Sequence, residues 1–205
     1  MGRKARFGRQ DIRGAALRLV AERGPGQLTM AAVAAEAGAP TGSIYHRYRS
    51  RDELLAELWM EVVERFQHEF VAALGTARDL PSLAAVAGHM PRWAREHPLE
   101  SRLLLLHRRQ DFVSGDWPPE FATRAAALEP QLGQALRRCA AQLGLVGSEA
   151  MPRLRYALLD APFGALKPYI QPGKAIPRVI DQLAEETARA VLAPMFAGTT
   201  RGAPA

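Results

Sequence analysis

The segment Gly38 to Leu54, GAPTGSIYHRYRSRDEL, constrains the fold more than any other, because it reads as a helix turn, a very short polar helix and the capped start of a long helix. Upstream of it, Ile12, Ala15, Ala16, Leu19 and Val20 share one helical face, which predicts a first helix from Asp11 to Arg23, ended by Gly24, Pro25 and Gly26. Thr29 is placed to cap a second helix whose Met30, Val33, Ala34 and Ala37 share a face, and Gly38 stands where a helix end favours a positive φ. Pro40 suits the first position of a third helix, where its missing N–H would be unpaired in any case. Only Ile44 and Tyr48 give that third helix an apolar stripe.

Two helices joined by a short glycine-containing turn, the second short and polar, form the helix-turn-helix pattern of DNA readers. Gly42 lets the backbone approach a duplex, and Thr41, Ser43, Tyr45 and His46 offer hydroxyls and an imidazole to phosphates and base edges. Arg47, Arg49 and Arg51 add positive charge. Ser50, Arg51, Asp52 and Glu53 match the S-x-x-E capping box, so a fourth helix is predicted from about Arg51. Its Leu54, Leu58, Val62, Phe66 and Phe70 recur every four positions, which predicts a long, one-faced helix able to link two domains.

Charge is concentrated at the same end. Residues 1–51 hold ten Arg or Lys against three Asp or Glu, a net of +7, whereas the remainder holds seventeen against eighteen, a net of −1. A localised excess of this size fits the polyanionic surface of duplex DNA. Arg3, Lys4, Arg6 and Arg9 taken alone would suit acidic lipid equally well.

In combination and order, the Ala37-Gly38 turn, the Gly42-Ser43-Ile44-Tyr45-His46 core, Tyr48 and the run Arg49 to Leu54 resemble the tetracycline-repressor (TetR) family of one-component bacterial transcriptional regulators. The resemblance covers roughly the first 55 residues. It implies an all-α protein: a three-helix helix-turn-helix DNA-binding domain over residues 1–53, then a larger helical effector-binding and dimerisation domain over residues 54–197. By position in the motif, Thr29, Thr41, Tyr45, His46 and Arg51 are expected on phosphates, Gly42 and Ser43 close to bases, and Arg49 beside them. Pro40 in place of a Ser or Thr cap, Thr41 in place of a Lys and Arg47 in place of an aromatic depart from the family pattern; they weaken the capping, remove one basic contact and leave the motif intact.

From Pro81 onward helical periodicity continues without strand alternation. Helices are predicted over Ser82 to Glu96 with a break at Pro91, Leu99 to Arg109, Glu120 to Leu143, Glu149 to Lys167 and Lys174 to Phe196. Residues 111–119 are the longest predicted loop, and residues 198–205 a disordered tail. The lone Cys139 lies on the apolar stripe Phe121, Ala125, Leu128, Leu132, Leu136, Cys139 and Leu143, which marks it as core rather than redox-active. No run reaches the length of a membrane-spanning helix and the N-terminus has no hydrophobic signal region, which predicts a cytoplasmic protein without membrane contact.

The resemblance further implies a homodimer whose last two helices pack on their two-fold mates, with Leu158, Leu166, Ile176, Ile180 and Leu183 as interface residues. It also implies a cavity for a small, mostly apolar effector, with Trp93, His107, Phe112, Phe121, Tyr156 and Phe163 as lining residues, each of which core packing would explain equally well. Enzyme chemistry finds no support. The five histidines form no H-E-x-x-H, and neither a G-x-G-x-x-G, a phosphate-binding loop nor a G-x-S-x-G elbow is present, so no cofactor, metal or catalytic residue is expected. A helical interaction module without specific DNA binding is the remaining alternative to a regulator.

Overall fold

The computed structural model describes residues 8–113, 115–171 and 173–199. The described residues contain helices and no strand. In chain order the α-helices are α1 (Arg9–Arg23), α2 (Met30–Glu36), α3 (Thr41–Tyr45), α4 (Arg51–Leu74), α5 (Leu80–Ala87) and α6 (His89–Glu96). They continue with α7 (Pro98–Leu106), α8 (Pro119–Gln142), α9 (Ala150–Arg155), α10 (Ala161–Ile170) and α11 (Val179–Thr199). The basic residues Arg3, Lys4 and Arg6 lie outside the described residues, as do residues 200–205 of the expected tail; α11 continues through Gly198 and Thr199. No described helix is long and apolar enough to cross a membrane.

Contacts divide the chain into two compact units, residues 1–64 with 99–126 and residues 65–98 with 127–205. In the first, α1 packs on α2 and α2 on α3, and the inward stripes meet as a core of Ile12, Leu19, Val33, Ile44, Tyr48 and Leu54. Arg9 and Arg13 of α1 pair with Glu57 of α4 at 3.0 and 2.8 Å. Arg102 of α7 donates to the Ala21 carbonyl in the last turns of α1 at 2.8 Å. The fourth helix is not one-faced. Leu54, Leu55, Ala56, Leu58, Met60, Val62 and Val63 are all buried, so its first turns are enclosed on several sides. In the second unit α11 lies along α5 and also meets α6, α9 and α10. There Arg92 pairs with Glu185 at 3.0 Å, and Arg95 with Asp181 through Nη1 and Oδ1 at 2.7 Å.

Several boundaries differ from expectation for identifiable reasons. The predicted Ser82 to Glu96 helix starts earlier, because Asp79 caps it by accepting from the Ser82 amide at 2.9 Å. It breaks at Gly88 rather than Pro91, which falls in the first turn of α6, where no intrahelical donor is needed. α7 stops at Leu106 because the next residues form a tight turn, the Arg108 amide donating to Asp111 at 2.7 Å. Residues 150–170 continue through a π-helical stretch, Tyr156–Asp160, just before Pro162. The wider turn absorbs the amide that Pro162 lacks toward the Leu158 carbonyl. α11 starts at Val179 rather than Lys174, since Pro177 disfavours helical backbone at Ile176. Cys139 is buried and burial pushes its thiol up, as a core cysteine requires.

Burial also pushes the imidazoles of His89 and His107 below their ordinary value of 6.5. The unfolded chain then binds protons at higher pH than the folded one, so these histidines contribute stability above about pH 6.5 that is lost as pH falls through their lowered folded values. Thermal melts should therefore show Tm falling on acidification from pH 6.5 to 5, with a shallower decline in the His89→Gln, His107→Gln double variant. An unchanged slope in that variant would contradict the assignment.

Candidate nucleic-acid interface and effector region

The head is built by local signals. Thr29 caps α2 by accepting from the Ala32 amide at 3.1 Å. Gly38 takes φ 63°, and the following Ala39 amide reaches back to the Ala34 carbonyl at 2.9 Å, which closes α2 and turns the chain into α3. Pro40 is the cap of α3 rather than its first helical residue, with extended backbone and a carbonyl that accepts from the Ser43 amide at 2.8 Å. Ser50 caps α4, accepting from the Glu53 amide at 3.0 Å. The return bond is displaced by one residue, because the Glu53 carboxylate accepts from the Arg49 amide at 2.7 Å rather than from Ser50.

This frame pins α3 through buried Ile44 and Tyr48 and turns Thr41, Gly42, Tyr45 and His46 outward, with exposed Thr29 and Arg49 nearby in sequence. A Cβ built on Gly42 meets nothing within 4 Å, so its helix backbone is open to an approaching surface. Ser43 is half-buried and its carbonyl accepts from the Arg47 guanidinium at 3.0 Å.

Arg51 is engaged within the head. Its Nε donates to the Leu28 carbonyl at 2.8 Å and its Nη2 to the Pro25 carbonyl at 2.6 Å, while Nη1 meets Asp52 at 3.1 Å. These donors staple the start of α4 to the α1–α2 connection instead of pointing at phosphate. Arg51→Ala should therefore lower the stability of the free protein by about 1–3 kcal/mol, the cost of leaving carbonyls unpaired, and leave the salt slope of DNA binding unchanged. A slope reduced by about one would restore the phosphate contact.

The charge excess is likewise partly internal. Arg9 and Arg13 pair with α4, and Arg18 pairs with Glu36 at 2.6 Å. The Arg9 guanidinium also lies 4.7 Å from the Tyr48 ring centroid, holding the residue that anchors α3.

The six residues expected around an effector are not brought together in one unit. His107 meets Phe112 edge-on at 6.2 Å and Phe121 is buried, all three in the unit that contains the head. Trp93 is buried in the other unit, T-shaped against Phe66 at 5.1 Å. Tyr156 and Phe163 are 52% and 36% exposed. Leu154, Leu158, Pro162, Leu166 and Ile170 form a buried row at four-residue spacing, flanked by buried Ala157 and Leu159, and Phe163 lies one step off that row. Tyr156 instead flanks an open groove of about 460 Å³ that also involves Glu149, Arg153 and Val191.

The expected interface residues divide as well. Leu158, Leu166, Ile176 and Ile180 are buried within their own chain. Leu183 is 47% exposed, and Val179, which was not singled out for the interface, is 51% exposed. α11 thus has two apolar stripes: Ile180, Ala184, Ala188 and Leu192 inward, Val179, Leu183 and Ala190 outward. Spacing reveals both stripes, but only the packing tells which one the chain itself consumes.

Residues 12–58 match the family model of the bacterial regulatory proteins of the tetR family. No curated protein matches the chain. Among solved structures, a TetR family transcription regulator from Marinobacter aquaeolei VT8 is 20% identical with a TM-score of 0.67, over 89% of this chain and 94% of that one. SmeT, the repressor of the Stenotrophomonas maltophilia multidrug efflux pump SmeDEF, is 20% identical with a TM-score of 0.63, over 92% and 90%. The transcriptional regulator FadR from Bacillus subtilis, in complex with stearoyl-CoA, is 15% identical with a TM-score of 0.66, over 90% and 97%. Among the described residues no group of three His, Cys, Asp or Glu side chains is placed to hold a metal ion. The head of this chain therefore belongs to the tetR family of bacterial regulatory proteins, and the chain as a whole has the fold of solved TetR family transcription regulators.

Proposed function

We propose that this protein is a one-component, non-enzymatic transcriptional repressor that binds a palindromic operator as a homodimer and is released by a small, mostly apolar effector. The observation that carries the reading is α3, anchored by Ile44 and Tyr48, with Thr41, Tyr45 and His46 exposed around a Gly42 backbone that nothing covers. Thr29 and Arg49 extend that surface toward the phosphates. The second requirement, a two-fold partner, is supported by the outward stripe of α11, because exposed Val179 and Leu183 are apolar area that a second copy would remove from water.

Residues 1–53 read DNA in this proposal, and residues 54–197 bind effector and partner. α4 begins at the cap beside α3 and ends in the second unit, so a change in its direction is the simplest route for a signal. The roles of two fold relatives, a repressor of a multidrug efflux pump and a regulator in complex with stearoyl-CoA, support repression and a small-molecule effector. Selection from a pool of random duplexes tests the reading: an enriched inverted repeat is expected. Enrichment of no sequence would favour a helical interaction module.

A further inference from the structure

Among the described residues of the second unit, three buried polar atoms find no hydrogen-bond partner: Gln67 Oε1 on α4, and His89 Nε2 and Trp93 Nε1 on α6. His89 and Trp93 belong to one aromatic cluster, and Gln67 lies on the helix that supplies its other rings. His89 and Trp93 are one turn apart on α6 and share a face. Phe66 meets both rings, with centroids at 6.1 and 5.1 Å, and Phe70 meets His89 at 6.1 Å. Gln67 adjoins Phe66 and precedes Phe70 by three residues on α4. Native proteins rarely leave buried polar atoms unpaired, so several in one aromatic cluster call for a role.

The hydrogen-bonding sense of each atom defines what would complete it. The Trp93 indole, 2% exposed, only donates and requires an acceptor; the Gln67 carbonyl oxygen only accepts and requires a donor. Burial favours the neutral His89 ring, against the opposing influence of Glu69 and Glu96 and with that of Arg92, so its Nε2 can serve in either sense. The cations of α6 are committed, Arg92 to Glu185 and Arg95 to Asp181, which leaves an anion no free counter-charge on that helix.

The geometry points to the Phe66, Phe70, His89 and Trp93 cluster, with Gln67, as the recognition site for a neutral, flat, largely apolar molecule that carries both a hydrogen-bond donor and an acceptor, the class of primary aryl amides and phenols. This rests on the reading of residues 54–197 as the effector-binding domain and narrows it to a chemistry.

Benzamide is the probe, with toluene and benzoate as the apolar and anionic controls, on the ¹⁵N-labelled full chain. The three tryptophans give three indole N–H resonances, and Trp93→Phe assigns the one in question. Benzamide should move the Trp93 resonance downfield and saturably, toluene should leave it nearly in place, and benzoate should bind most weakly. Gln67→Leu, read at the Trp93 resonance, and Trp93→Phe, read by calorimetry, should each weaken benzamide binding about tenfold, or about 1.4 kcal/mol, and calorimetry should show toluene binding spared; the half-buried Gln67 keeps the test open if Trp93→Phe fails to fold. Equal shifts with toluene, tighter benzoate binding, or a Trp93 resonance that responds to none of the three would overturn the site. A protein that selects an operator while Trp93 stays silent keeps the regulator reading and loses this one. A responsive Trp93 in a protein that selects no operator does the reverse.

Discussion

Gly42→Val should remove sequence-specific DNA binding and leave the free protein as stable as before. Both halves follow from the same geometry. A Cβ at this position meets nothing within 4 Å in the free protein, the residue is exposed, and a helical glycine is a poor helix former, so the fold tolerates the substitution. Against a duplex, however, a β-branched side chain would occupy the space through which the α3 backbone approaches the groove. The expected loss is the gap between specific and non-specific affinity, at least about a thousandfold, measured by fluorescence anisotropy on the selected duplex, with a thermal melt alongside. A variant that binds that duplex normally would show that α3 is not the reading helix.

Leu183→Arg should convert a dimer into soluble monomers and abolish operator binding with the head intact. Leu183 is half exposed in its own chain, so the charged head can remain in water in the monomer; in a two-fold pair it would be desolvated against an apolar partner surface. Solubility is what distinguishes this result from damage to the core. Leu158→Arg, at a position with no exposure, should instead give unfolded or insoluble protein, because a buried unpaired charge has no route to solvent. Sedimentation velocity decides: an unchanged dimer for Leu183→Arg would move the interface away from the outward stripe of α11.

The head was legible in the sequence because its geometry is local. Thr29, Gly38 and Ser50 act within a few residues of themselves, and each does in the structure what its type and position predict. The internal bonds of Arg51 were not legible, because its partners, the Pro25 and Leu28 carbonyls, lie more than twenty residues away and a backbone acceptor leaves no trace in side-chain pattern. The body was legible as helices and much less as surfaces. Periodicity marks Ile180 and Leu183 alike as apolar, and only the packing shows that the first is consumed within the chain and the second is not. Phe163 and Leu159 are four residues apart and share a helical face, yet only the packing shows Leu159 buried and Phe163 36% exposed. The ion pairs that tie α6 to α11 join residues far apart in sequence, and nothing near Arg92 or Arg95 announces Glu185 or Asp181.

The central claim is specific recognition of a two-fold DNA site by two copies of this chain. The most direct measurement is a titration of the selected duplex and of a shuffled duplex of equal length, at physiological salt, with the mass of the complex determined by analytical ultracentrifugation. The account predicts an even number of chains per duplex and an affinity for the selected sequence at least about a thousandfold above the shuffled one. One chain per duplex, or equal affinity for both sequences, would contradict it.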